Sequence, residues 1–346
     1  MQKQRIIVGS VLFLSSLNIG HPGTSHVLTI VYVGFLLLLG TLKLKLKYTD
    51  ILFFIMFVIF VFLAKLNDAH LYNMAASIVR FLAFFLLANT YLPRKIEIDE
   101  AKKIYAYWLF FGITFFIFQY AMLGVPDKGV MGAPRFSGYM FDPNYFAILS
   151  FGLILMIYPK ANKWKFHTWP IIFSQSLTVI LTMLAMWFSS RRLRRLISYG
   201  LILFPLLIYF LSSIISYDDI LNLLPSGKYL DQRSISLWIR FDEWGKALDY
   251  ISENPMYLLF GLGSGNSYMF GDTVLHSYYI QTLIDKGIIL YLALTLYVFR
   301  KLEIDSRLLF LFSLTSLMFD SFALMLIGTL IFMWNSIYNE PESFEK

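Results

Sequence analysis

Among its 346 residues the chain has no cysteine. That absence excludes disulfide cross-links, thiolate nucleophiles and cysteine-bound metals. Charge is scarce too: Asp, Glu, Lys and Arg make up 15% of the chain, where a soluble domain carries about 25%. Histidine occurs five times, and no His, Asp and Glu residues recur at metal-ligand spacing, so neither a metal nor another cofactor is expected. The first apolar run ends in "SLNIGHPG", which lacks the small-residue site at which a signal peptide is cleaved.

Apolar and aromatic residues take the place of the missing charge. The chain is 58% hydrophobic, with 34 Phe and 22 Tyr. Apolar runs fall at about 5–20, 27–42, 50–64, 72–92, 104–124, 143–158, 169–190, 196–216, 276–299, 307–319 and 321–337. Their lengths are close to what a hydrocarbon core of about 30 Å selects. The expected fold is all-α: a polytopic transmembrane bundle of about 10–12 spans, forming one integral membrane domain over 1–346. Within it, 217–275 is expected to be an extracytoplasmic loop that contains an amphipathic helix.

The net charge of +7 does not imply a nucleic-acid partner, because the basic residues cluster at the ends of the apolar runs. Lys43, Lys45 and Lys47, then Arg94, Lys95, Lys102 and Lys103, then Arg300, Lys301 and Arg307 all read as cytoplasmic. The opposite side receives 125–142 and 217–275, the latter with eight acidic and four basic residues. One conflict stays open. Lys160, Lys163 and Lys165 and the run "SRRLRR" at 190–195 flank a single span yet both read as cytoplasmic. Either 166–177 is a short re-entrant excursion kinked at Pro170, or one cluster lies outside.

Two polar stretches are long enough to build a site. In "GAPRFSGYMFDPNYFA", Asp142-Pro143-Asn144 is a helix start, with an aspartate cap and proline in the first turn. Arg135 precedes it by seven residues and reads either as an anion ligand or as an arginine snorkelling to the interface. In "DQRSISLWIRFDEWGKALDYISENP", Leu237, Phe241, Trp244, Leu248 and Ile251 form an apolar stripe at helical spacing, which Asn254-Pro255 ends. Arg233 and Arg240 share a face of that helix, with Ser236 between them and Glu243 one turn on. Guanidinium forks suit phosphate oxygens, whereas pairing of Arg240 with Glu243 or Asp242 is the structural alternative. Next comes "FGLGSGNSYMFGDTVLHSYY", where Gly261, Gly263 and Gly265 suggest a tight turn back to the bundle rather than a nucleotide loop. His276 follows at the mouth of a span, where His276, Tyr279 and Ile280 are expected to share a helix face.

The order Arg240, Trp244, Asn254-Pro255, Gly261-x-Gly263, then "HSYYIQTLIDKGI", resembles the O-antigen polymerase and O-antigen ligase superfamily, whose polymerases are the Wzy type. "RFSGYMFDPNYFA" is similar to a second element of that family, and together the matched stretches cover about 135 to 290. The family's serine–arginine pair on the following helix has no clear counterpart here: "FSQSLT" lacks the arginine, and "FSSRR" lies on the side read as cytoplasmic. The resemblance implies a metal-independent glycosyltransferase of a bacterial cytoplasmic (inner) membrane. It would transfer a growing O-antigen, capsule or exopolysaccharide glycan from polyprenyl (undecaprenyl) diphosphate to a lipid-linked repeat unit on the outer face. Its partners would be polyprenyl-diphosphate-linked oligosaccharide, membrane lipids, and the flippase and chain-length regulator of the same pathway.

In that chemistry Arg240 stabilises the leaving diphosphate, and His276 takes the acceptor hydroxyl's proton, as an imidazole can near neutral pH. Arg135, Arg233, Asp142, Asn144, Glu243, Trp244 and Tyr279 are the expected substrate-binding residues. Two alternatives remain. A ligase would hand the finished glycan to a different acceptor, and a flippase would move the same lipid-linked oligosaccharide without chemistry. The flippase would place charges within its spans, whereas these spans are almost free of charge.

Overall fold

A computed structural model describes residues 2–17, 22–63, 71–123, 135–137, 140, 142–158, 167–214, 228–270, 275–319 and 323–338, most of them helical. Leu71–Asn89, Ile98–Met122, Arg191–Ile214 and Tyr278–Leu302 are long and apolar enough to cross a membrane, and six shorter apolar helices accompany them. Length and composition are therefore those of a helical membrane protein. Among the described residues fewer helices reach spanning length than the apolar runs suggested, because hydropathy does not register where a helix breaks. The chain divides into two compact units, one of Met1–Ile51, Val79–Ser190 and Phe322–Lys346, the other of Leu52–Ile78 and Arg191–Ser321.

The first unit contains α1 (Gln2–Ser16), α2 (Pro22–Leu38), the start of α3 (Tyr48–Leu63) and most of α4 (Leu71–Asn89). It also holds α5 (Ile98–Leu123), α6 (Pro143–Ile157), α7 (Trp169–Ser174) and α8 (Leu177–Phe188). The last helix of the chain, Ala323–Tyr338, belongs to it as well. Two short strands, β1 (Lys43–Leu44) and β2 (Thr90–Tyr91), pair antiparallel beside α4. Apolar burial drives little association where lipid is the alternative environment, so close approach at small residues matters more. Gly152 on α6 lies against Leu330, whose side chain would have to move for a Cβ there, and Gly328 lies against the Phe84 backbone, where a Cβ would stand 3.1 Å from Phe84 Cα. Specific polar bonds tie the helices together: Trp108 donates to Ser16 Oγ at 3.0 Å, and Arg5 pairs with Glu100 at 3.2 Å.

The expected span over 169–190 is broken. Gln175 adopts a left-handed conformation (φ 52°) between α7 and α8. The carbonyls freed by the break are taken up locally: the Phe136 N–H bonds Phe173 O at 3.1 Å, and Arg135 Nε donates to Ser174 O at 3.1 Å. Residues 159–166 lie outside the described ones, so the side on which Lys160–Lys165 sits stays open.

The second unit contains α9 (Arg191–Gly200), which runs through a 3-10 turn at Leu201–Leu203 into α10 (Phe204–Ile214). Then come α11 (Lys228–Ser252), α12 (Pro255–Phe260), a 3-10 turn at Asn266–Phe270, α13 (Tyr278–Leu302) and α14 (Ser306–Thr315). The final helix of the first unit is α15 in chain order. Most of the described residues between α10 and α13 are thus helical. Of the expected apolar stripe of α11, Trp244, Leu248 and Ile251 are buried and Phe241 is half-buried, while the side chain of Leu237 lies outside the described residues. Gly245 permits close contact with α10, since a Cβ there would stand 2.8 Å from that of Ser212. Asn254-Pro255 ends one helix and starts another: α11 stops at Ser252, and Asn254 caps α12 by accepting from the Met256 N–H at 3.0 Å.

The greatest departure from the hydropathy reading is in α13. Gly287 has non-helical angles (φ 71°, ψ 170°). Tyr278 and Phe299 lie 21 positions apart, a separation of about 32 Å in a straight helix. Yet both rings pack on Phe312, at 5.3 Å and 6.2 Å, so they lie within about 12 Å of each other. The element therefore folds back on itself at Gly287, with arms at 278–286 and 288–302, so its 25 residues, though long and apolar enough in total, do not form one continuous span.

Candidate functional site

The second unit places His276 in a turn held from both sides. The residue lies outside the helix, which begins at Tyr278 with Ser277 as its cap, so the expected face shared by His276, Tyr279 and Ile280 does not form. Instead His276 has φ 43°, one of two non-glycine residues with positive φ among those described. The left-handed region costs a residue with a Cβ about 1–2 kcal/mol, and such strain persists only where neighbours impose it. Those neighbours can be named. On one side Leu275 O accepts the Trp244 indole N–H from α11. On the other, the Tyr278 N–H donates to Ser316 O at 2.9 Å, at the end of α14. Between these anchors the imidazole-bearing residue remains half-buried rather than sealed.

Trp244 also orients α11. Its ring meets Phe204 edge-on at 5.7 Å and is 3% exposed. Arg240 lies one turn before it, on the same side of the helix, so the bond to Leu275 sets the Arg240 side of α11 against the His276 turn. Arg240 and Glu243 are half-buried, and Asp242 pairs with Lys246 at 2.6 Å. The side chain of Arg233 lies outside the described residues.

Two of the expected substrate-binding residues fall inside the core. Trp244 is engaged with Leu275, and Tyr279 is fully buried with its hydroxyl on Ser313 O at 3.2 Å. Both side chains are buried and brace the segments around the turn.

The glycine-rich stretch meets the tip of α13. The Leu262 N–H bonds Ile284 O at 2.8 Å and the Gly263 N–H bonds Asp285 O at 3.1 Å, satisfying carbonyls that the fold-back leaves without helical partners. Gly261 and Gly287 have positive φ, and each would drive a Cβ into the other strand's backbone. Two charges that sequence reasoning left unused sit here. Asp285, 7% exposed, accepts from the Ser267 N–H at 3.1 Å. Lys286 donates to Ser77 Oγ at 2.7 Å and Ser264 Oγ at 2.8 Å, and lies over the Phe57 ring at 5.5 Å. The signal for them was present: an acidic and a basic residue beside a glycine inside an apolar run is a costly combination in a membrane segment.

The remaining expected residues belong to the first unit. Asp142 caps α6 by accepting from the Asn144 N–H at 2.7 Å, with Pro143 as the first helical residue, as the sequence indicated. Arg135 is half-buried and donates to Asn144 Oδ1 at 3.0 Å as well as to Ser174 O. Asp142, Asn144 and Arg135 thus form one hydrogen-bonded group at the start of α6 and the break after α7. Arg135 also completes a helix C-terminus, where a cation is favoured. Among the described residues no three His, Cys, Asp or Glu side chains gather as metal ligands would. Comparison with protein-family models, with curated proteins and with solved structures found no match.

Proposed function

We propose that this chain is a glycan polymerase that uses a polyprenyl-diphosphate-linked oligosaccharide as donor. The observation that carries the reading is the His276 turn: a strained, half-buried histidine braced by Trp244 and Ser316, with Arg240 one helical turn from the brace. In the proposed reaction an acceptor hydroxyl attacks the anomeric carbon of the donor glycan while His276 takes the hydroxyl proton. The bond from the anomeric carbon to the diphosphate oxygen breaks, and the diphosphate leaves with the electron pair. Arg240 meets that developing charge with a guanidinium fork. A flippase for the same oligosaccharide would use Asp285 and Lys286, the charges inside α13, whereas both are bonded into the tip of the fold-back.

The test is polysaccharide chain length in cells whose own copy is deleted, with membrane abundance of each variant measured in parallel. Arg240→Ala should abolish polymer and Arg240→Lys should restore little, because an ammonium does not reproduce the bidentate fork. His276→Ala should lower polymer at least about 100-fold, the lower end of a positioned base's usual contribution. Full activity in His276→Ala would end this reading. The product separates polymerase from ligase: a polymerase makes a ladder of repeats on the lipid carrier, and a ligase moves a finished chain once.

A further inference from the structure

The arginine-rich helix α9 plays no part in that chemistry. It carries Arg191, Arg192, Arg194 and Arg195 and no acidic residue. We propose that α9 and the basic residues beside it form a docking site for the headgroups of anionic phospholipids.

Placement comes first. With the 3-10 turn and α10, α9 makes one apolar stretch of 24 residues, Arg191–Ile214, or about 36 Å of helix. Along it Leu203, Leu206, Leu207 and Phe210 are 52–62% exposed, the surface of a helix that faces hydrocarbon. The arginines occupy one end of that stretch, at the depth where a bilayer changes from acyl chain to phosphate. Leu193 and Leu196 are 43% and 72% exposed among them. That interleaving suits a lipid surface, which offers phosphates and acyl chains side by side, better than a purely polar polyanion.

The electrostatics also favour an anion. Residues 191–195 and 300–307 hold seven basic and two acidic side chains, and Arg194 approaches Ser306 at 3.5 Å where α9 packs on α14. Both acids are already engaged. Glu303 accepts the Tyr199 hydroxyl at 2.5 Å, and Asp305 caps α14 and pairs with Arg307. The Ser198 hydroxyl is fully buried, and neither it nor Arg195 Nε has a hydrogen-bond partner among the described residues. Clusters of four or more Arg or Lys at the end of a membrane helix bind anionic lipid through the surface potential and direct phosphate contacts.

Setting topology would also require arginines, but that role is finished once the protein is inserted, so the test uses purified protein. The full chain is taken into a neutral detergent and its thermal unfolding followed with added phosphatidylglycerol or phosphatidylcholine, with retained lipids counted by native mass spectrometry. Phosphatidylglycerol should raise Tm and remain bound, phosphatidylcholine should do neither, and 0.5 M salt should weaken the effect. Arg191→Gln/Arg192→Gln should weaken phosphatidylglycerol binding roughly 30-fold, the expectation for two charges at a membrane surface. Lys43→Gln/Lys45→Gln, in the other unit, should leave it unchanged. Equal stabilisation by the two lipids, an unaltered response in Arg191→Gln/Arg192→Gln, or an equal effect of inorganic phosphate would each overturn the proposal. If that double variant does not accumulate, the salt titration of the wild type decides, and a response insensitive to salt overturns it.

Discussion

Trp244→Phe isolates the bond that holds the His276 turn. Phenylalanine keeps most of the ring volume and the edge-on contact with Phe204, but it has no N–H for Leu275 O. Leu275 is fully buried, so its carbonyl would lose a partner in a site that water does not reach. Leaving a buried acceptor unsatisfied costs about 1–3 kcal/mol. That energy comes from the arrangement in which His276 is strained, so the turn is expected to relax and the competent population to fall. At about 1.4 kcal/mol per factor of ten, turnover should drop about 5- to 150-fold. The assay is polymer formed per molecule of membrane-inserted protein, with substrate saturation followed so that kcat and KM are separated. A positioning defect lowers kcat more than it raises KM. Phe204→Leu is the control, because it removes the ring contact and keeps the indole bond; it should lower Tm and leave turnover per molecule near normal. Wild-type turnover in Trp244→Phe, or a loss confined to abundance, would refute the bracing role.

His276→Gly should raise Tm while abolishing polymer, since glycine accepts φ 43° without the strain of about 1–2 kcal/mol borne by histidine; thermal unfolding beside chain length checks it. Gly287→Ala should sharply reduce membrane abundance, because a methyl group would meet the Leu259 carbonyl, as quantitative blotting would show. Asp142→Ala should cost about 0.5–2 kcal/mol of stability through the lost helix cap, read as a lower Tm, and Asp142→Asn should keep most of that stability.

What the sequence disclosed depends on whether the cause was local. Asp142-Pro143 announced a helix start and Asn254-Pro255 a helix end because a short polar side chain and a fixed φ act within two residues; that the latter also starts α12 was not read. The apolar stripe of α11 was legible because burial follows helical periodicity. The breaks at Gln175 and Gly287 were not. Pro170 pointed toward the first but lies five residues early, and Gln175 adopts its conformation where Arg135 and Phe136 take up the freed carbonyls. Gly287 has the composition of an ordinary membrane-helix glycine, and its fold-back depends on contacts with Leu259 to Gly263, more than 20 residues away. At the candidate site, the order of Arg240, Trp244 and His276 was visible. The burial of Trp244 and Tyr279 was not, because a pattern of residue types does not say which aromatic groups the core takes.

The fold-back of α13 also has an electrostatic consequence. A helix carries about half a positive charge at its N-terminus and half a negative charge at its C-terminus. At Gly287 the C-terminal end of one arm and the N-terminal end of the other come together, so the two partial charges largely cancel. Lys286 stands at the end of the first arm, which favours a cation, and Asp285 beside it accepts from the Ser267 N–H and balances its charge. Side chains and backbone dipoles therefore form a nearly neutral quadrupole, whose field decays steeply with distance. Such a tip can rest in a medium of low dielectric constant without drawing in counter-ions.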